Sequence, residues 1–184
     1  MKRTVLVFGL ISGAVMAGMM FGTVLFVRRI GFDKGEIVGY TGMVLAFLLV
    51  FFGIRSYREN IGGGTISFGR AFAVGILITL ISTVCYVVAW EIIYFGFAHD
   101  FADKYAAYMV EQVKASGASP EVIQAKLQEM KKFKELYENP FFNAAITFLE
   151  PLPVGLIVTL ISALLLRKKR KTPEFKPAGD PAAA

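Results

Sequence analysis

Four apolar runs, each long enough to cross a bilayer, make up more than half of this 184-residue chain. They extend from about Val5 to Val27, Ile37 to Ile54, Ala71 to Ala98 and Ala144 to Leu166. A span takes about 20 mostly apolar residues at a rise of about 1.5 Å each, which covers the ~30 Å hydrocarbon layer. A helix satisfies its own backbone hydrogen bonds there, where no water can do so. The expected fold is all-α: an integral membrane four-helix bundle in a single domain over residues 1–171. Hydrophobic residues are 55% of the chain and mean hydropathy is +0.58, too apolar for a soluble domain.

Charge placement orients the spans. Lys2 and Arg3 precede the first run, Arg55, Arg58 and Arg70 lie between the second and third, and Arg167 to Lys171 follow the fourth. The other two loops carry Arg28, Arg29 and Lys34, then six lysines diluted by seven acids between Asp100 and Glu138. Basic residues close to span ends favour the cytoplasmic side, so both termini are expected in the cytoplasm. The first run also has signal-peptide character, with Ser12, Gly13 and Ala14 as a cleavage site. It continues past that site to Val27 and ends on Arg28 and Arg29, which favours an uncleaved span. The tail from Thr172 to Ala184, rich in Pro and Ala, is expected to be disordered.

Within the first run, Gly9 and Gly13 are four apart, as are Gly18 and Gly22. At about 100° per residue the two pairs fall on nearly opposite faces. Small residues let helix backbones approach closely in lipid, so this helix is expected to pack on two sides. One side could meet another protein, a second copy or a membrane partner; ordinary packing within the bundle is the plainer alternative. The glycine-rich turn from Arg55 to Arg70 lacks the spacing of a phosphate-binding loop and reads as a turn whose arginines anchor helix ends, with Ser67 starting the third helix.

Residues 100–138 form the one substantial segment outside the spans. Phe101, Tyr105, Tyr108 and Met109 recur at helical spacing, as do Ile123, Leu127, Met130 and Tyr137. Ser119 as N-cap and Pro120 at the first helical position divide the segment into a helical hairpin on the outer face. Its apolar stripes must cover each other, the membrane surface or a partner. The balance of acids and lysines argues against nucleic-acid binding.

Glu91 and Glu150 are the carboxylates inside apolar runs, and both fall in the outer third of the bilayer. Tyr40, Tyr94 and His99 lie at similar depth, with Arg28 and Arg29 at the outer end of the first helix. The third helix carries a polar stripe of Thr79, Ser82, Thr83, Tyr86, Trp90 and Tyr94, and Pro151 and Pro153 can kink the fourth just after Glu150. Charged groups within a span usually face protein or water. Two readings follow: an outward-facing pocket in which Glu91 and Glu150 bind a cation or carry protons, or interfacial glutamates paired with Arg28 or Arg29 inside an aromatic belt. Catalysis has little support, since the chain has no HExxH, no GxSxG and only one histidine. That histidine count rules out a His-cluster metal site, and no cofactor is expected.

The stretches FGIRSYR (Phe52 to Arg58), ISFGRAF (Ile66 to Phe72), KASGAS (Lys114 to Ser119) and FLEPLPVG (Phe148 to Gly155) resemble a family of bacterial four-span membrane proteins frequent in Bacteroidetes. It is catalogued as a domain of unknown function, number forty-one ninety-nine. The resemblance covers about residues 2–169 and implies an inner-membrane location and four helices. It carries no activity, ligand or catalytic residue. The expectation from residues and resemblance together is a non-enzymatic accessory or scaffold protein acting by association, with a small transporter or channel as the alternative.

Overall fold

The computed structural model describes residues 1–168, apart from the side chains of residues 26–30. The tail beyond, including most of the basic run after the fourth span, lies outside the described residues. Seven helices follow in order: α1 (Lys2–Ile30), α2 (Phe32–Asn60), α3 (Phe68–Phe97), α4 (Phe101–Ala115), α5 (Pro120–Tyr137), α6 (Pro140–Leu149) and α7 (Leu152–Leu166). Helices α1, α2, α3 and the α6–α7 pair are long and apolar enough to cross a membrane. The protein is thus an all-α membrane bundle of four spans. Each of the first three helices outruns its apolar stretch, because flanking polar residues such as Arg55 to Asn60 extend the same backbone ladder.

The bundle is a rhombus. Helix α1 packs on α2 and α3, and α7 packs on the other side of the same pair, so α2 and α3 meet along the short diagonal. Phe47, Val50 and Ile54 of α2 and Val74 and Ile78 of α3 are fully buried between them. Glycine sets how closely the other faces approach. A Cβ on Gly9 would lie 2.8 Å from the Ile81 Cβ, one on Gly13 would lie 2.5 Å from the Cys85 Cβ, and one on Gly75 would lie 2.8 Å from the Thr159 Cγ2. Hydroxyls join the same crossings. Ser12 donates to the Ala46 carbonyl at 2.9 Å, Ser82 donates to the Gly9 carbonyl at 3.1 Å, and Thr79 and Thr159 share a bond of 3.1 Å. Lipid is as apolar as leucine, so this close packing and these interhelical bonds are what hold spans together.

The end of the bundle where the described residues begin and end is stapled. Ser67 caps α3 by accepting from the Arg70 amide at 3.4 Å. Arg58 donates through Nη1 to the Leu166 carbonyl at 3.2 Å, so this arginine of the α2–α3 turn does anchor a helix end, that of α7. Ile66 and Lys168 exchange two backbone hydrogen bonds of 3.0 and 2.9 Å, tying the α2–α3 turn to the chain after α7. At the opposite end a single residue, Gly31, joins α1 to α2. Its φ of 81° lies in the left-handed region that glycine enters without strain.

Helices α4 and α5 form the antiparallel hairpin at that opposite end, turning at Gly117 with φ 75°. Ser119 stands at the N-cap position, but its hydroxyl makes no bond to the α5 backbone. Its position beside Glu121 holds that carboxyl below the usual carboxylate range. The two apolar stripes cover each other, with Val110 and Met130 buried and the Tyr105 and Phe133 rings 6.1 Å apart. They also reach back to α2: Phe32 packs 5.7 Å from Phe101, 5.9 Å from Tyr105 and 5.1 Å from Tyr108.

The crossings make a quantitative test. Gly13→Leu forces α1 off α3 and is expected to destabilise the bundle by about 1–3 kcal/mol. Gly96→Leu, where nothing lies within 4 Å, should leave it within about 0.5 kcal/mol of wild type. Equilibrium unfolding in mild detergent measures both.

Candidate functional site

One face of α3 collects most of the polar chemistry in the spans. Thr79, Thr83, Tyr86, Trp90 and Tyr94 recur every three or four residues and therefore form a seam along the helix. The seam faces the fourth span and the end of the hairpin. Thr79 bonds Thr159 of α7, Tyr86 donates to the Glu150 Oε2 at 3.1 Å, and Trp90 Nε1 donates to the Tyr137 hydroxyl at 2.9 Å. Tyr94 stands edge-on to Tyr137 with centroids 5.2 Å apart. Thr83 is fully buried, and its Oγ1 has no hydrogen-bond partner.

The end of the seam nearest the hairpin is an aromatic and amide cluster. Asn139 caps α6, accepting from the Phe141 and Phe142 amides at 2.9 and 3.4 Å, with Pro140 preset for the first turn. That start places Asn143 one turn in, fully buried, where Nδ2 donates to the Tyr137 carbonyl at 3.2 Å and Oδ1 accepts from Thr147 at 3.3 Å. Phe101 packs edge-on against Trp90 at 4.9 Å, and Phe133 stacks on Tyr137 at 5.0 Å. Burial pushes the Tyr137 phenol above the ordinary tyrosine value, so it stays neutral beside the Trp90 donor.

The two glutamates part company. Glu150 sits between α6 and α7, exposed on one side and bonded to Tyr86 on the other, with Glu36 and Tyr40 of α2 in electrostatic range. Glu91 lies five residues beyond Tyr86, about 140° further round α3. It faces away from Glu150, and its Oε1 is buried without a partner. No hydrogen bond or ion pair joins the two among the described residues. Tyr40 is exposed on α2, Tyr94 is buried in the cluster, and His99 is exposed just past α3. The Arg28 and Arg29 side chains lie outside the described residues. Gly9 and Gly13 are enclosed by α3, whereas Gly18 and Gly22 meet nothing within 4 Å.

Tyr137, Asn143 and Thr147 are site residues that the pattern of apolar runs does not single out. The available signal is Asn143 itself, an amide flanked by apolar residues one turn after the Asn139–Pro140 start. Asp100 and Asp103 have the spacing of an acidic pair, but both are engaged by lysines: Asp100 by Lys104, and Asp103 by Lys134 at 2.6 Å. Among the described residues no group of three or more His, Cys, Asp or Glu side chains is placed to hold a metal ion.

A family model described as "Protein of unknown function (DUF4199)" matches residues 7–168, and the chain belongs to that family. No curated protein and no solved structure matches it. The match runs from α1 through α7 and therefore takes in the seam, Glu150 and the hairpin together.

The Trp90–Tyr137 bond is expected to hold the hairpin to the spans. Tyr137→Phe should cost about 1–2 kcal/mol and raise amide exchange selectively in α4 and α5. Hydrogen exchange read by mass spectrometry checks this. A second contact has a pH signature. Tyr108 donates to Asp33, which pushes its phenol up to about 12. The contribution is full below the ordinary tyrosine value of 10.0 and is lost as pH rises through about 12. The stability difference between wild type and Tyr108→Phe, read by equilibrium unfolding in mild detergent, should vanish across that window.

Proposed function

We propose that this DUF4199 protein is a bacterial inner-membrane protein with both termini in the cytoplasm, acting without catalysis as an accessory or scaffold subunit that associates with other spans. Lys2, Arg3, Arg55, Arg58, Arg70, Arg167 and Lys168 lie at the end of the bundle where the described residues begin and end, which supports the orientation.

The observation that carries the reading is the division of the α1 glycines. Gly9 and Gly13 are used up inside the bundle, while Gly18 and Gly22 open a groove on the free side of the helix, continued by the exposed Ala14. A groove of small residues in a lipid-facing helix is the surface on which a second helix gains the most contact. The hairpin has less to offer a partner, because its aromatic residues already cover each other and Phe32. A shared ion or proton pocket of Glu91 and Glu150 has less support still, since Glu91 faces away from Glu150.

The test is the assembly state of the full chain in nanodiscs and mild detergent, by light scattering and native mass spectrometry. Wild type is expected to form a complex, with itself or with a co-purifying membrane protein. The Gly18→Leu/Gly22→Leu double variant should be monomeric with unchanged helicity. A wild-type protein that is monomeric and brings down no membrane partner would count against the reading.

A further inference from the structure

The end of the bundle opposite the hairpin holds a cavity of about 540 Å³. Its walls come from separate pieces of chain: Tyr57 from α2, Gly62 and Thr65 from the turn, Ser67 and Arg70 from the start of α3, and Lys168 from beyond α7. Backbone bonds fix these pieces. The Gly62 and Gly64 amides donate to the Tyr57 and Arg58 carbonyls, each at 3.0 Å, and close the turn. A Cβ on Gly62 would run into the Thr65 carbonyl, so the turn is this tight only with glycine there. The paired bonds between Ile66 and Lys168 bring the lysine to the same place from the far side of the fourth span.

The side chains around this cavity have hydrogens to give and nothing in the chain to give them to. Arg70 and Lys168 make no side-chain hydrogen bond or ion pair among the described residues. The Ser67 hydroxyl accepts from the Arg70 amide at 3.4 Å, which leaves its own hydrogen unused. Tyr57 is only 6% exposed, and its hydroxyl bonds to nothing among the described residues. A tyrosine so deeply buried usually has a partner for its hydroxyl; Tyr57 has the cavity. No acid lines the space. Glu59 is within electrostatic range of Lys168, but Arg58 holds its carboxylate at 2.6 Å. Helix α3 begins at this wall and adds the positive end of its dipole.

The geometry points to a binding site for a phosphate group in this cavity, held by Arg70 and Lys168 with the Ser67 and Tyr57 hydroxyls. The arginine fork matches two phosphate oxygens, and the lysine supplies a second positive charge. A carboxylate, with one charge and two oxygens, would be satisfied by Arg70 alone. The turn lacks the spacing of a phosphate-binding loop, and the site does not need it, because side chains supply the donors. The cavity lies just beyond the apolar spans, at headgroup depth. Ile61 on its wall is 53% exposed, and Phe68 next to Ser67 is exposed and stacked on Phe72. A cationic cavity with apolar side chains at its edge fits an anionic phospholipid. A soluble phosphate compound would use the same donors, so the test separates the two sources. The site does not depend on the association reading, and each can fail without the other.

The full chain in mild detergent is titrated with phosphatidic acid and with phosphatidylcholine, read by native mass spectrometry, and with inorganic phosphate, read by calorimetry. Wild type is expected to bind phosphatidic acid saturably and about tenfold or more tighter than phosphatidylcholine. Arg70→Gln should weaken that binding by about tenfold or more, and Tyr57→Phe by about threefold. Lys2→Gln/Arg3→Gln, which removes charge from the same end but none from the cavity, should leave it unchanged. Saturable binding of inorganic phosphate that is lost in the same variants upholds the site and assigns it to a soluble phosphate compound. Helicity and size-exclusion profile are followed in each variant; if Arg70→Gln does not fold, the near-isosteric Tyr57→Phe decides. Absence of saturable binding of either phosphate source, equal binding of the two lipids, binding that survives both Arg70→Gln and Tyr57→Phe, or binding lost in Lys2→Gln/Arg3→Gln would each overturn the proposal.

Discussion

Everything in this bundle depends on how closely its helices touch. In lipid there is little hydrophobic gain from burying one leucine rather than another, so the spans are held by dispersion contact and hydrogen bonds at short range. Gly9, Gly13, Gly75 and Gly155 remove side chains where axes cross, and Ser12, Ser82, Thr79 and Thr159 bond across the gaps so created. The two devices need each other. A serine hydroxyl reaches a neighbouring backbone only if the helices are already near, and the approach is worth little unless something polar fixes its register. The α1–α3 and α3–α7 faces use both, and from them follows the register of the seam.

The register decides what the hairpin end of the bundle contains. With Thr79 locked to Thr159, Tyr86 falls at the depth of Glu150 and Trp90 at the depth of Tyr137. The hairpin is thereby fastened to the spans through α3 and α6, and separately to the head of α2 through Phe32 and Asp33. Helices α4 and α5 are amphipathic and charged, and Ala102, Val110, Met130 and Tyr137 are buried within the chain while Val122, Leu127 and Leu136 stay exposed. This region is a buttress for the bundle.

The spans were legible because length and apolarity are local properties. So was the pairing of α1 glycines onto opposite faces, since it needs only the helical period. Which pair turns inward was not legible: it depends on Ile81 and Cys85 of α3 presenting side chains where Gly9 and Gly13 leave room. The depth of Glu91 and Glu150 follows from counting residues, but their facing does not. Glu150 meets Tyr86 because the hairpin length and the Asn139 cap set where the fourth span begins, and this is a relation among four elements. Pro151 and Pro153 announced a kink; the structure places the boundary between α6 and α7 there, while Glu150 and Pro151 keep helical backbone angles.

The single-residue link at Gly31 has a consequence for how the protein is made. A span normally enters the bilayer with a loop long enough to lie in water while the next one is threaded. Here α1 reverses into α2 with no slack, so the first two helices are a preformed wedge whose tip carries Gly31, Asp33 and Lys34. With no slack between them, neither helix can shift along its axis without carrying the other. The orientation of α1 across the bilayer is therefore coupled to that of α2, and neither can invert alone.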